Sequence, residues 1–300
     1  MATLPRIGWI GAGRMGVPMA GFVLKAGYPV AVFSRTATNR GKLVAQGAQE
    51  ATSIAQCAAA SDIVFSSIPD DAALGAVALG PQGVLASLRR GGIFADTSTV
   101  SPEASSAVAE EAQRRGVAYL RIPISGNAAS AQKGEVTALV SGPAPAWNTV
   151  KPVVETFSKV QVYLGEGEEA RYMKLVINAL VVNLAQGMAE AFALGRKAGL
   201  RWSVMLDTIG QSTLASPWLK AKVALMKARD FSPTMTTRLI LKDLDLILAA
   251  ARATGVPMPL TAVTRQMMQA AVGEGYGEDD YLSTIKLMEK QSGLRTDRVE

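Results

Sequence analysis

Through residue 165 the chain alternates short, β-branched apolar runs with alanine-rich stretches of helical period. The runs predict strands over 6–10, 30–34, 62–67, 93–96, 118–121, 135–141 and 160–164. Between them the spacing predicts helices over 16–26, 38–46, 70–77, 83–88, 102–115, 128–133 and 145–157. Strand–helix alternation at this spacing predicts a largely parallel sheet with helices on both faces, a Rossmann-type α/β domain over residues 1–165. The run at 63–67 lacks polar alternation, as a central strand covered on both sides should. After Gly165 the period changes: apolar residues recur every three or four positions and no convincing strand remains. Residues 166–300 therefore read as an all-α C-terminal domain, begun by a long interdomain helix over about 170–199. At ~1.5 Å per residue that helix would run about 45 Å. Breaks fall at Gly210, Ser216-Pro217, Ser232-Pro233, Gly255-Val256-Pro257 and 273–277, and the polar tail 291–300 is expected to be disordered.

Composition narrows the chemistry. The 300 residues include no histidine and one cysteine, Cys57. Histidine triads, histidine bases, histidine metal ligands, internal disulfides and thiolate zinc cages are all excluded, so proton transfer must fall to Lys, Asp, Glu or Tyr. A single cysteine suits a reducing cytoplasm, and no signal-peptide arrangement precedes the first strand. Lys plus Arg number 31 against 25 Asp plus Glu, a formal charge of +6 without any basic run. That balance favours small anionic ligands over nucleic acid. The longest apolar stretch, 175–195, carries Asn178, Asn183, Gln186 and Glu190 and reads as a helix buried in protein, not in lipid.

Gly11-Ala12-Gly13-Arg14-Met15-Gly16 fits G-x-G-x-x-G between a strand and a helix. In that context the first glycine permits a tight turn and the second lets a pyrophosphate approach the backbone. The third lets helix and strand pack closely, while the helix N-terminus holds the phosphates. The second strand ends Val32-Phe33-Ser34-Arg35-Thr36, with no acid between Gly27 and Arg40. An acid there would bind the ribose 2′-hydroxyl of NAD; Ser34, Arg35, Thr36 and Arg40 suit the 2′-phosphate of NADP, although Arg35 could equally stack on adenine. NADP is the expected cofactor and NAD the alternative. Ser67-Ile68-Pro69-Asp70 ends a strand at the carboxyl edge, where Ile68 and Pro69 could meet the cofactor or simply form a turn.

With these residues in place the chain resembles the β-hydroxyacid dehydrogenase family, the group around 3-hydroxyisobutyrate dehydrogenase. Four motifs in the family's order carry the likeness: the glycine loop with Val17-Pro18-Met19-Ala20, Asp96-Thr97-Ser98-Thr99 with Pro102, Pro123-Ile124-Ser125-Gly126, and Lys174 with Asn178 followed by Lys242-Asp243-Leu244. The resemblance implies hydride transfer between NADP(H) or NAD(H) and a small 3-hydroxy acid or its semialdehyde or keto acid. It implies Lys174 as general acid/base beside Asn178. Ser125, Gly126, Asn127 and Thr99 would hold a carboxylate substrate, and Lys242 and Thr99 the cofactor. It also implies a homo-oligomer formed through the helical domain. A histidine-free chain suits a lysine in that role, and Asn178 at i+4 faces the same way. Ser101 before Pro102 is the better helix cap, which leaves Thr97–Thr99 freer for ligands. Asp243 and Asp245 read as solvated or capping charges.

The chain departs from the family pattern in four places. Asn127 replaces a second glycine, Arg121 stands where an acid is usual, glutamates and Ala170 replace glycines at 165–171, and Ile177 replaces an asparagine. These bear on substrate more than on reaction. Rival readings are an imine reductase of the same architecture, which usually lacks the lysine, and a non-catalytic dinucleotide-binding module, which lacks it too.

Overall fold

The computed structural model of the chain describes residues 4–296 and divides into two compact units, Met1–Leu175 and Val176–Glu300. The first unit runs β1 (Ile7–Ile10), α1 (Gly16–Lys25), β2 (Val30–Phe33), α2 (Ala37–Val44), β3 (Gln49–Glu50), α3 (Ile54–Ala59) and β4 (Ile63–Ser66). It continues through α4 (Asp71–Leu79), α5 (Val84–Ser87), β5 (Ile93–Asp96), α6 (Pro102–Arg115), β6 (Ala118–Arg121) and β7 (Ile124–Ser125). Then come α7 (Ala128–Gln132), β8 (Val136–Ser141), α8 (Ala144–Val154) and β9 (Ser158–Gly165). The sheet order is β3-β2-β1-β4-β5-β6-β8-β7, with β9 on β8. Strands β1 to β6 pair in parallel, β8 is antiparallel to β6 and β7, and β9 returns parallel to β8.

The mostly parallel, helix-covered sheet bears out the expected Rossmann-type class. Three elements escaped the periodicity. β3 is two exposed polar residues held by pairing with Ala31 and Val32. β7 is two residues held by β8. α3 has only six residues, started by Ser53, whose side chain accepts from the Gln56 N–H. The first two owe their form to a neighbouring strand, and the third is too short to show a full helical period. Strand β4 is buried at every position, as a central strand should be. Trp9 stacks on Phe65 at 5.2 Å between ring centres, and Phe157 meets both edge-on at 6.0 and 6.2 Å. This cluster ties β1, β4 and the segment after α8 into one core.

Residues at the strand ends lie in one register row. Ile10 pairs with Ser66, Ser66 with Asp96, Asp96 with Arg121, and Arg121 with Ser141. Register partners on neighbouring strands point to the same face, so this row is where the sheet presents polar side chains together.

Helix α9 (Glu169–Lys197) begins in the first unit and continues into the second. The second unit then holds α10 (Trp202–Gln211), α11 (Pro217–Lys227), α12 (Thr237–Thr254) and α13 (Pro259–Ala271). A π turn (Val272–Tyr276), a 3-10 turn (Tyr281–Ser283) and α14 (Thr284–Gln291) complete it. Among the described residues its only strand-like pairing is the bridge between Thr236 and Asp280. Its core closes around Phe192 and Trp202, T-shaped at 5.4 Å, with the Trp202 Nε1 donating to the Met226 carbonyl. α9 is long and apolar enough to cross a membrane by length and composition, and half of its most apolar window is buried within the protein. The tail corrects one expectation: Leu294 N donates to Glu289 O, Arg196 reaches Arg295 O, and Arg229 reaches Thr296 O, so residues 292–296 are tied down. Residues 297–300 of that expected disordered tail lie outside the described residues.

Phe65→Ala should destabilise the chain by about 3–5 kcal/mol, read as a shift in the guanidinium unfolding midpoint, because it removes the shared face of the aromatic cluster.

Candidate functional site

The glycine loop joins β1 to α1 at the carboxyl edge. Gly11 holds φ 95°, and a Cβ there would stand 2.2 Å from the Ser67 carbonyl oxygen. A Cβ on Gly16 would stand 2.1 Å from the Gly11 oxygen, whereas a Cβ on Gly13 would meet nothing within 4 Å. Two glycines are therefore required by the protein itself, and the middle one opens the backbone outward above the first turn of α1, where N–H groups and the helix dipole favour anions. The loop fits a dinucleotide pyrophosphate. At the end of β2, Ser34 is buried, while Arg35 and Thr36 are exposed. Among the described residues Arg35 makes no ion pair, and Thr36 precedes α2 without a side-chain cap bond. Arg40 is otherwise engaged: its Nε lies 2.6 Å from Glu50 Oε1 and its Nη1 donates to the Ser34 carbonyl at 2.6 Å. These bonds use its Nε and one N–H of Nη1, which leaves Nη2 as the nitrogen for a phosphate.

The edge beside β4 and β5 is more tightly bonded than the sequence suggests. Ile68 N donates to Ser98 Oγ at 2.9 Å and Pro69 has no N–H, so Ile68–Pro69 can offer a ligand apolar surface and carbonyls but no backbone donor. Asp70 caps α4 through Ala73 N, the turn role foreseen as the alternative. Ser101 does cap α6, accepting from Ala104 N. Thr97 Oγ1 nevertheless donates to the Ser66 carbonyl at 2.7 Å, and Ser98 Oγ donates to Asp96 Oδ1 at 2.7 Å. Of the three residues expected to be freer for ligands, Thr97 and Ser98 are thus engaged internally.

Asp96 is the centre of this bonding. Its Oδ1 accepts from Ser66 Oγ at 2.5 Å as well as from Ser98, and its Oδ2 accepts from Arg171 at 2.6 Å. Arg171, fully buried on the first turns of α9, also donates to the Ser98 carbonyl, Ser105 Oγ and Tyr119 Oη. Burial alone would favour neutral Arg171, but its interactions with Tyr119 and Asp96, hydrogen bonds to both included, outweigh it and raise its pKa further above the ordinary arginine range. Burial in turn raises the pKa of the Tyr119 hydroxyl. Three residues after Arg171 comes Lys174, 8% exposed. Arg121 pairs with Glu168, donating from Nε at 2.9 Å and also from Nη2, and lies over the Tyr119 ring. Glu168 Oε2 is buried without a hydrogen bond among the described residues.

The loop after β7 holds the expected substrate residues. Ser125 is half-buried, and Gly126 is exposed with φ 146°. Asn127 caps α7 in a reciprocal pair: its Oδ1 accepts from Ser130 N, and Ser130 Oγ accepts from Asn127 N. The unexpected amide therefore has a structural task, which leaves its Nδ2 as the group for a ligand. In the second unit, Asn178 Nδ2 donates to Asp243 Oδ2 at 2.6 Å, and Lys242 Nζ stands 2.9 Å from Asp243 Oδ1. Asp243 is 1% exposed, so the reading of it as a solvated or capping charge is wrong: it orients Asn178 and neutralises Lys242. Asp245 does stay outside, paired with Arg265.

Residues 6–165 match the family described as the NAD binding domain of 6-phosphogluconate dehydrogenase, and residues 168–288 that described as the NAD-binding of NADP-dependent 3-hydroxyisobutyrate dehydrogenase. The chain is 34% identical over 290 residues to the 2-(hydroxymethyl)glutarate dehydrogenase of Eubacterium barkeri, covering 96% of each chain. It belongs to the β-hydroxyacid dehydrogenase family. As a β-hydroxyacid dehydrogenase it is an NAD(P)-dependent oxidoreductase acting on CH–OH groups. Its fold matches the Mycobacterium tuberculosis 3-hydroxyisobutyrate dehydrogenase solved with L-serine, at TM-score 0.86, 25% identity, and coverage of 95% of this chain and 99% of that one. An imine reductase from Pseudomonas sp. is similar in fold at TM-score 0.61 and 22% identity, over 95% and 99% of the two chains.

Sequence reasoning missed Arg171, Asp96 and the Arg121–Glu168 pair as a connected group. The available signal was a cation inside an apolar helix start, which requires a buried acid somewhere in the fold. In this β-hydroxyacid dehydrogenase, Gly13→Ala should leave the thermal melting temperature unchanged yet weaken NADPH binding by about tenfold or more in a fluorescence titration. Gly16→Ala should instead lower the melting temperature, because its Cβ collides with backbone.

Proposed function

We propose that this enzyme transfers hydride between NADP(H), in preference to NAD(H), and a small 3-hydroxy acid or its semialdehyde or keto acid, with Lys174 as general acid/base. The observation that carries the reading is a buried lysine one helical turn beyond an arginine locked to the carboxyl edge, in a chain without histidine. The nicotinamide supplies or takes the hydride. In the oxidative direction Lys174 Nζ accepts the hydroxyl proton; in reverse its ammonium faces the carbonyl oxygen, stabilises the developing alkoxide and returns the proton. Ser125, Gly126 and Asn127 Nδ2 donate to the substrate carboxylate, Thr99 serves substrate and cofactor, and Asn178, oriented by Asp243, holds the reacting oxygen. Gly11 to Gly16 would hold the pyrophosphate, Ile68 and Pro69 would bound the cofactor, and Lys242, held by Asp243, would offer the cofactor a further N–H donor. The preference for NADP is supported by exposed Arg35 and Thr36 at the end of β2 and by the lack of an acid there.

The enzyme is proposed to act in the cytoplasm as a homo-oligomer formed through its helical unit. Val176, Leu180, Leu184 and Leu194 are exposed and share one face of α9, an apolar stripe that a second copy would cover.

Purified enzyme should oxidise at least one of 3-hydroxyisobutyrate, L-serine or 2-(hydroxymethyl)glutarate, followed by the absorbance of the reduced nicotinamide. Lys174→Ala should cut kcat by about 10³-fold while NADPH binding persists; turnover within a few-fold of the parent would remove Lys174 from the proton transfer. Arg35→Asp should weaken NADPH by about tenfold or more and leave NADH unaffected, whereas affinities for both cofactors unchanged from the parent would refute the phosphate contact.

A further inference from the structure

The register row that ends β5, β6 and β8 holds the beginning of α9 at three points. Asp96 binds Arg171 at 2.6 Å, and Arg121 binds Glu168. Ser141 Oγ donates to the Gly167 carbonyl at 2.7 Å and accepts from Ala170 N at 3.2 Å. Asp96, Arg121 and Ser141 are successive register partners on adjacent strands. Four of the five residues from Gly167 to Arg171 are thus fastened to one line across the sheet.

The charges cross in a complementary way. On the sheet a carboxylate (Asp96) lies beside a guanidinium (Arg121); on the incoming segment a carboxylate (Glu168, just before α9) and a guanidinium (Arg171, in its first turn) stand three residues apart. Tyr119 links the two pairs, accepting from Arg171 at its hydroxyl and carrying Arg121 over its ring. Buried ion pairs add little net stability, but breaking one leaves a charge buried and unmatched, so each pair holds its two segments together. Arg121 and Glu168 are also two of the places where the chain departs from the family pattern. The structure pairs the two departures with each other.

We propose that this row is a seat that fixes the first turn of α9 and through it the position of Lys174, making Arg121 and Glu168 positioning residues for the proton transfer. The inference rests on the reading of Lys174 as the acid/base. Lys174 lies three residues beyond Arg171, about 4.5 Å along the axis at ~1.5 Å per residue, so a loosened first turn displaces its amine directly. Misplacement by about 1 Å can cost about a hundredfold in rate.

The test reads the lysine without needing a substrate. Full-length protein carrying Arg121→Glu, Glu168→Gln, or the exchanged pair Arg121→Glu with Glu168→Arg is trace-acetylated, and each lysine is quantified by peptide mass spectrometry. Lys197, exposed on the last turn of the same helix, serves as the internal reference. Each single variant should raise Lys174 labelling relative to Lys197 by about threefold or more, and the exchanged pair should return it to within about twofold of the parent. No change at Lys174, or an equal rise at both lysines as general destabilisation would give, overturns the seat. Loss of the lysine's catalytic role would show only in turnover of Lys174→Ala, so the two readings fail separately.

Discussion

A single ion pair with no exposed surface, Asp96 with Arg171, sets the terms for the first unit. Removing two charges from water costs several kcal/mol each, and their attraction recovers that only when every remaining polar atom is bonded. Here the condition is met. Arg171 reaches four acceptors on β5, α6, β6 and the turn after β5, and Asp96 takes two hydroxyls besides. Because one group gathers so many elements, the turn at Thr97–Thr99, the turn at Ile68 and the start of α9 share a common frame. Truncating either partner would leave a bare charge in the interior, a loss of about 3–5 kcal/mol.

The path from sequence to chemistry runs through that frame. Parallel pairing brings the carboxyl ends of β1, β4 and β5 into line, and the glycine loop leaves β1 from that line. Backbone crowding at Gly11 and Gly16 shapes the loop, and open space at Gly13 leaves it available to phosphate. The helix that bears the proposed acid/base is anchored to the same line three residues before the lysine. In the second unit Asp243 performs a similar service on a smaller scale, holding Asn178 by one oxygen and Lys242 by the other. A chain without histidine has its proton chemistry carried by groups that neighbouring carboxylates and helices must place.

Much of this was readable from the residues because it is local. Glycine spacing, the strand before it and the helix after it lie within about twenty residues of each other, and Ser101-Pro102 announces a helix start by the chemistry of two adjacent residues. What escaped reading is long-range. Arg121 and Glu168 are 47 positions apart and Arg171 and Asp96 are 75 apart, so no period in the sequence links them. Two-residue strands such as Gln49–Glu50 have no pattern of their own and exist only through pairing. Asp243 was misjudged because a charge between Lys242 and Asp245 looks solvated in sequence. The helix in fact turns it inward, while Asp245 meets Arg265 outside.

The most direct measurement is a crystal structure of the enzyme with NADP+ and a hydroxy-acid substrate or unreactive analogue. The account predicts the Lys174 amine within hydrogen-bonding reach of the substrate's hydroxyl oxygen, about 2.6–3.2 Å, with Arg171 still bonded to Asp96. A lysine turned away from that oxygen, with another titratable group in its place, would contradict it.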